Sequence, residues 1–158
     1  MKKLITLISA LLLGLVAMGQ TTVTAPSQNL KLQLKSAAVV GGDVELTFLV
    51  SNASQNETVI NLVGGIYQTG MAGSVAYDNE GNVYELSDIL VSVGNKSYTD
   101  QYSAGSFPSN VPVKCHLLVK GIAKEARSLT KVKVCLLAPE LNVASAGACF
   151  EINNVSFR

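Results

Sequence analysis

Few side chains in this 158-residue chain can attack, protonate or ligate. It has one histidine, His116, and three cysteines, Cys115, Cys135 and Cys149. His116 directly follows Cys115, so on a strand the two point to opposite faces and cannot work as thiolate and base. A Ser-His-Asp arrangement needs a histidine held by a carboxylate beside a nucleophile. His116 instead falls on the outward parity of an amphipathic strand, between Lys114 and Leu118. A zinc site needs several His or Cys ligands converging, and here two strand faces would have to merge to supply them. Asp78, Glu80 and Asn82 imitate half of a calcium loop, but the spacing is not that of an EF-hand and the later glutamate is missing. Asp78, Glu80, Glu85, Asp88 and Asp100 fall in one region, as a carboxylate-pair glycosidase would require. Such enzymes carry aromatic subsites, and this chain has no Trp. A phosphate-cradling glycine loop, HExxH and GxSxG are all absent from the sequence. The expectation is therefore a non-enzyme with no catalytic residue, no metal and no cofactor.

The cysteines suggest a structural role. Lys131–Leu136 and Cys149–Asn153 each alternate apolar and polar residues, with the period of a strand. Paired antiparallel so that Val134 faces Phe150 and Val132 faces Ile152, they also bring Lys133 opposite Glu151 and Cys135 opposite Cys149. A slip of one residue would break all of these matches at once. This register predicts a Cys135–Cys149 disulfide, with Cys115 apart from it on a core-facing position. The alternative is three reduced cysteines packed as small apolar residues.

The N-terminus gives the compartment. Lys2 and Lys3 precede a largely apolar run, Leu4–Val16, followed by Ala17-Met18-Gly19. This is the pattern of a secretory signal peptide over residues 1–19, and the run is shorter than the ~20 residues a spanning helix needs. The expected product is exported, periplasmic or extracellular, with no membrane span after signal removal. Export also permits disulfides. Without Lys2 and Lys3 the 12 basic residues fall to 10, against 11 acidic ones. No basic stripe is present, so nucleic acid is not an expected partner.

The elements that must position these residues are strands. Residues 20–29 are polar, with Pro26, and read as a flexible leader; residues 30–158 read as one domain. Leu30–Lys35 alternates cleanly, and Ser36–Val40 continues it on a different face. Gly41-Gly42-Asp43 is a turn, and Val44–Val50 is a stronger strand. Val59–Val63 follows, then a hairpin within Ser74–Leu86. There Gly81 takes the positive φ and Asp78 braces the turn. Ile89–Val93, Val113–Val119 and the C-terminal pair complete the set. Ala123–Leu129 reads as a short helical turn. Thr99–Pro112, polar and containing Gly105, Pro108 and Pro112, reads as a long loop. Asn153-Asn154 is expected to carry a bulge, because Val155 and Phe157 are apolar at the opposite parity from Phe150 and Ile152. The fold class is all-β: a two-sheet antiparallel immunoglobulin-like β-sandwich of about eight strands, with an open barrel as the alternative.

Three segments carry a resemblance: Tyr77-Asp78-Asn79-Glu80-Gly81-Asn82-Val83-Tyr84, Phe107-Pro108-Ser109-Asn110-Val111-Pro112-Val113-Lys114, and Ile152-Asn153-Asn154-Val155. Over roughly Leu30–Phe157 the chain resembles small secreted immunoglobulin-like (telokin-like) sandwich domains of Bacteroides-type bacteria. The shared motifs are a turn and a strand entry. The resemblance implies a fold and no catalytic residues.

All five tyrosines lie between Tyr67 and Tyr102, with Phe107 close behind. Tyrosine suits contact with protein or sugar, and the expected binding surface is Tyr98, Tyr102 and Phe107 in the long loop. The reading is a macromolecule-binding module at the cell envelope or outside the cell, its partner a protein or glycan. A small carbohydrate-binding module is the first alternative, and an enzyme or enzyme inhibitor the second.

Overall fold

A computed structural model describes residues 20–66, 73–143 and 148–157. The expected signal peptide, residues 1–19, and Tyr67 lie outside the described residues. Eleven strands are described: β1 (Thr22–Thr24), β2 (Leu30–Val40), β3 (Asp43–Asn52), β4 (Thr58–Val63), β5 (Val75–Asp78), β6 (Val83–Tyr84), β7 (Ile89–Val93), β8 (Tyr102–Phe107), β9 (Pro112–Val119), β10 (Ser128–Leu137) and β11 (Cys149–Ser156). They form two antiparallel sheets. One runs β2-β3-β9-β7. The other runs β1-β11-β10-β4-β8, with β5 also on β10 and β6 on β5. The sheets stack as a sandwich rather than closing as a barrel.

Alternation explains the packing. β3 buries Val44, Leu46, Phe48 and Val50, and β9 buries Cys115, Leu117 and Val119. Against them the other sheet sets Ile60 and Leu62 from β4, Val132 and Val134 from β10, and Phe150 and Ile152 from β11. These residues form one continuous core between the sheets. The register of β10 on β11 is the expected one, with Val132↔Ile152, Lys133↔Glu151, Val134↔Phe150 and Cys135↔Cys149 paired.

The expected bulge takes a paired form. Asn154 adopts a left-handed backbone conformation (φ 58°), and on β10 the register against β5 shifts between Leu129 and Lys131. Both strands change face at the same level, so Leu129 and Val155 are buried as partners and the β10–β11 register survives. A second irregularity between Leu34 and Ser36 turns β2 onto its other face, as its sequence pattern requires.

β10 has two partners on its other edge. Leu129–Lys133 pairs with β5 and Cys135–Leu137 with β4. At the splice, buried Ser74 donates from Oγ to the Val63 carbonyl (2.5 Å) and accepts from the Cys135 N–H (2.9 Å). Two backbone groups left over where the ladder changes partners are thereby satisfied.

Four expectations need correction. The strands number eleven among the described residues rather than about eight. Within residues 20–29, read as a flexible leader, Thr22–Thr24 forms β1 on the edge of β11, held by backbone bonds that a polar composition does not announce. Ala123–Leu129 is not helical. A single turn is closed by the Ala126 N–H on the Ala123 carbonyl (3.0 Å), and β10 starts at Ser128. Too few residues separate β9 from β10 to repay helix nucleation. The one helical turn among the described residues is a 3-10 turn at Pro139–Leu141, with Pro139 at its start. Thr99–Pro112 is not one long loop either, because Tyr102–Phe107 is β8, paired along its length with β4.

Candidate functional site

The structure separates the expected binding surface. Phe107 is fully buried, because β8 turns Ser103, Gly105 and Phe107 inward. Phe107 is a core residue and is withdrawn from any surface. Tyr102 starts β8 opposite Val63 in the larger sheet, half-buried. Tyr98 lies in the segment between β7 and β8, outside any strand, against Glu45 of β3 and His116 of β9. Its hydroxyl donates to Glu45 Oε1 (2.5 Å), and its ring stands edge-on to His116, with centroids 6.2 Å apart. Burial, and then the neighbouring Glu45 carboxylate, push the Tyr98 phenol above its ordinary pKa.

His116 faces outward from β9, as its parity requires. Its Nδ1 lies 3.1 Å from Glu45 Oε1 and 3.3 Å from Thr47 Oγ1. One carboxylate oxygen therefore orients both the phenol and the imidazole. Parity alone did not reveal this cluster. It depends on β3 pairing with β9, which sets Thr47 opposite His116. The adjacent Cys115 points into the core, and burial pushes its thiol up to about 12, the reverse of an activated nucleophile.

Cys135, Cys149, Glu151 and Asp78 are committed to structure. Cys135 and Cys149 form a disulfide between opposed positions of β10 and β11. Beside it Glu151 takes both Lys131 (3.3 Å) and Lys133 (3.7 Å). Asp78 is 3% exposed and braces the β5–β6 turn. Its Oδ1 accepts from the N–H groups of Glu80 and Asn82, and its Oδ2 from the Asn82 amide and the Tyr84 hydroxyl (2.8 Å each). Burial opposes ionisation of Asp78, but these hydrogen bonds outweigh it and leave the pKa below the ordinary value. The turn itself matches expectation: Tyr77 faces Val83, Ala76 faces Tyr84, and Gly81 has φ 88°. Among the described residues no group of three or more His, Cys, Asp or Glu is placed to hold a metal ion.

One side of the sandwich carries a groove of about 430 Å³ between the two sheet edges formed by β1 and β2. Val23, Leu32, Leu34, Ala37 and Val155 supply its apolar wall, with Lys35 on the rim. Among the described residues β2 is an edge strand, paired with β3 alone, and Lys31, Gln33 and Lys35 alternate on its exposed side. Polar Thr22–Thr24 and the alternation of β2 were both in the sequence; that they border one groove follows only from the strand order.

No protein-family model, curated protein or solved structure gives a significant match to this chain. Among the described residues no helix is long and apolar enough to cross a membrane.

Proposed function

We propose that this protein is an exported, non-enzymatic β-sandwich that binds another macromolecule, receiving an extended polypeptide along the free edge of β2. The groove between the β1 and β2 edges carries this reading. It offers a strand edge with no partner among the described residues, beside an apolar wall, which is what strand addition uses. The exposed side chains select the partner. Lys31 and Lys35 disfavour pairing of β2 with a second β2, and they favour a strand whose acidic residues alternate with apolar ones. The N-terminal pattern of residues 1–19 and the Cys135–Cys149 disulfide support an oxidising, exported setting. The tyrosine-surface alternative is weakened by the burial of Phe107 and by the separate settings of the two tyrosines, Tyr98 against Glu45 and His116 of one sheet and Tyr102 in β8 of the other.

The test is selection of a displayed random-peptide library on the protein, followed by amide hydrogen exchange with the enriched peptides. Expected are peptides alternating acidic and apolar residues, slower exchange within Leu30–Leu34, and weaker binding by Leu34→Lys. Failure to enrich any peptide, or protection confined to other strands, would overturn the reading.

A further inference from the structure

The two halves of β2 present different edges. The first, Leu30–Lys35, carries Lys31 and Lys35; the second reads Ser36-Ala37-Ala38-Val39-Val40, with no charge. The register shift between Leu34 and Ser36 separates them. Beyond it Ala37 and Val39 pair with the buried Leu46 and Val44 of β3, on the core-facing side. Ala38 and Val40 pair with Glu45 and Asp43, on the outer side. Yet Val39 is 44% exposed and Val40 54%. A core-facing valine left open at an uncharged strand edge is what soluble proteins ordinarily cover.

The opposite edge of the same sheet is covered. On β7 the Ile89 carbonyl accepts from the Gly65 N–H (3.0 Å), and Val91 exchanges both backbone hydrogen bonds with Thr99 (2.8 and 3.0 Å). Along Ser36–Val40, by contrast, β3 is the only paired strand among the described residues.

We propose that Ser36–Val40 pairs antiparallel with the same segment of a second copy of this chain, with the two-fold axis at Ala38. Register favours this occupant. Centred on Ala38, Ser36 of one copy meets Val40 of the other, and Ala37 meets Val39. The open valines are then covered from both sides of the axis. Lys35 falls level with Gly41 in the other copy's turn, and Lys31 lies past the end of its β2. Centred on Gln33 instead, Lys31 would face Lys35 on both sides of the axis, and like charges directly opposite are destabilising. The lysines that hold the first halves of two copies apart therefore leave the second halves free to join. A foreign strand finds no charge in Ser36–Val40 to select it.

The contact is isologous, so it closes as a dimer, and the covered β7 edges stop the joined sheet from growing further. Ser36–Val40 is a short segment, so the interface is small and the dimer weak and concentration-dependent.

The test uses the protein purified after export with its disulfide intact, followed by sedimentation equilibrium from about 1 μM to about 1 mM. Expected is a reversible monomer–dimer equilibrium with a Kd on the order of 0.1 mM. Backbone amide exchange should slow within Ser36–Val40 as the concentration rises. Ala38→Lys and Ala38→Glu each set like charges face to face at the axis. Each should weaken dimerisation at least about fivefold, while thermal melts show the fold intact. Mixed in equal amounts, the two variants should pair more tightly than either does alone, because this register sets residue 38 against itself. The proposal fails if the parent protein stays monomeric over this range, if both variants dimerise like the parent, or if mixing them gives no gain. It also fails if exchange in Ser36–Val40 slows only when a foreign peptide is added, which would make the occupant another chain. Peptide binding at Leu30–Leu34 uses the other half of β2, so each reading can fail without the other.

Discussion

β11 and β8 belong to the same sheet and obey the same rule, yet only β11 is visible in the sequence. Each turns alternate residues inward. In β11 these are Phe150 and Ile152, and in β8 they are Ser103, Gly105 and Phe107. The difference lies in what each strand meets. β11 faces open core volume, which large apolar side chains fill. β8 closes the sandwich against β7, the edge strand of the other sheet. Ser103 Oγ there accepts from the Val93 N–H (2.9 Å), and a Cβ at Gly105 would collide with the Val93 side chain. Where two sheets come close, the inward residues must be small or polar, and the alternation that announces a strand vanishes.

The strongest way to break this comparison is Phe107→Ala. If β8 is a core strand, the loss is about 3–5 kcal/mol by chemical denaturation; a residue on a loop surface would cost almost nothing. Next is the crosslink on β10–β11. Cys135→Ser with Cys149→Ser opens a loop of sequence separation 14 and should cost about 3 kcal/mol, with the midpoint shift lost under reducing conditions. Gly105→Ala should cost about 1–3 kcal/mol, and Val93→Ala in the same chain should recover part of it, because the clash is with that side chain.

Asp78 sharpens the contrast between a turn braced by charge and strands held by packing. Its pKa is lowered in the folded state, so its contribution is present above the unfolded-state value of about 4 and is lost as pH falls through the folded value. Asp78→Asn should cost about 1–3 kcal/mol at neutral pH and flatten the acid limb of the stability–pH curve. The smallest effect belongs to Lys133→Ala. Lys133 and Glu151 are both partly exposed, and the change should stay below about 1 kcal/mol and shrink with added salt.

Much of the fold was legible because it rests on local periodicity. The β10–β11 register, the β5–β6 hairpin and the change of face along β2 all follow from residue order. The candidate sites were far less legible. Tyr98 meets Glu45 and His116, and Asn29 lines one cleft with Glu57 and Glu140, across elements distant in the chain. No spacing rule connects them. Burial of Phe107 was equally hidden, since its neighbours on β8 resemble a polar loop.

By itself, the order of residues determined that this chain would stack amphipathic strands, where Val134 and Phe150 would meet, and which two cysteines would join. It could do so because side chains alternate along a strand and opposed strands share one register. Only the tertiary structure decided which strands are left as edges, which tyrosines reach a surface, and which polar groups collect at the end of the sandwich. Those outcomes depend on strand order, which is set by the packing of the whole core and leaves no local mark.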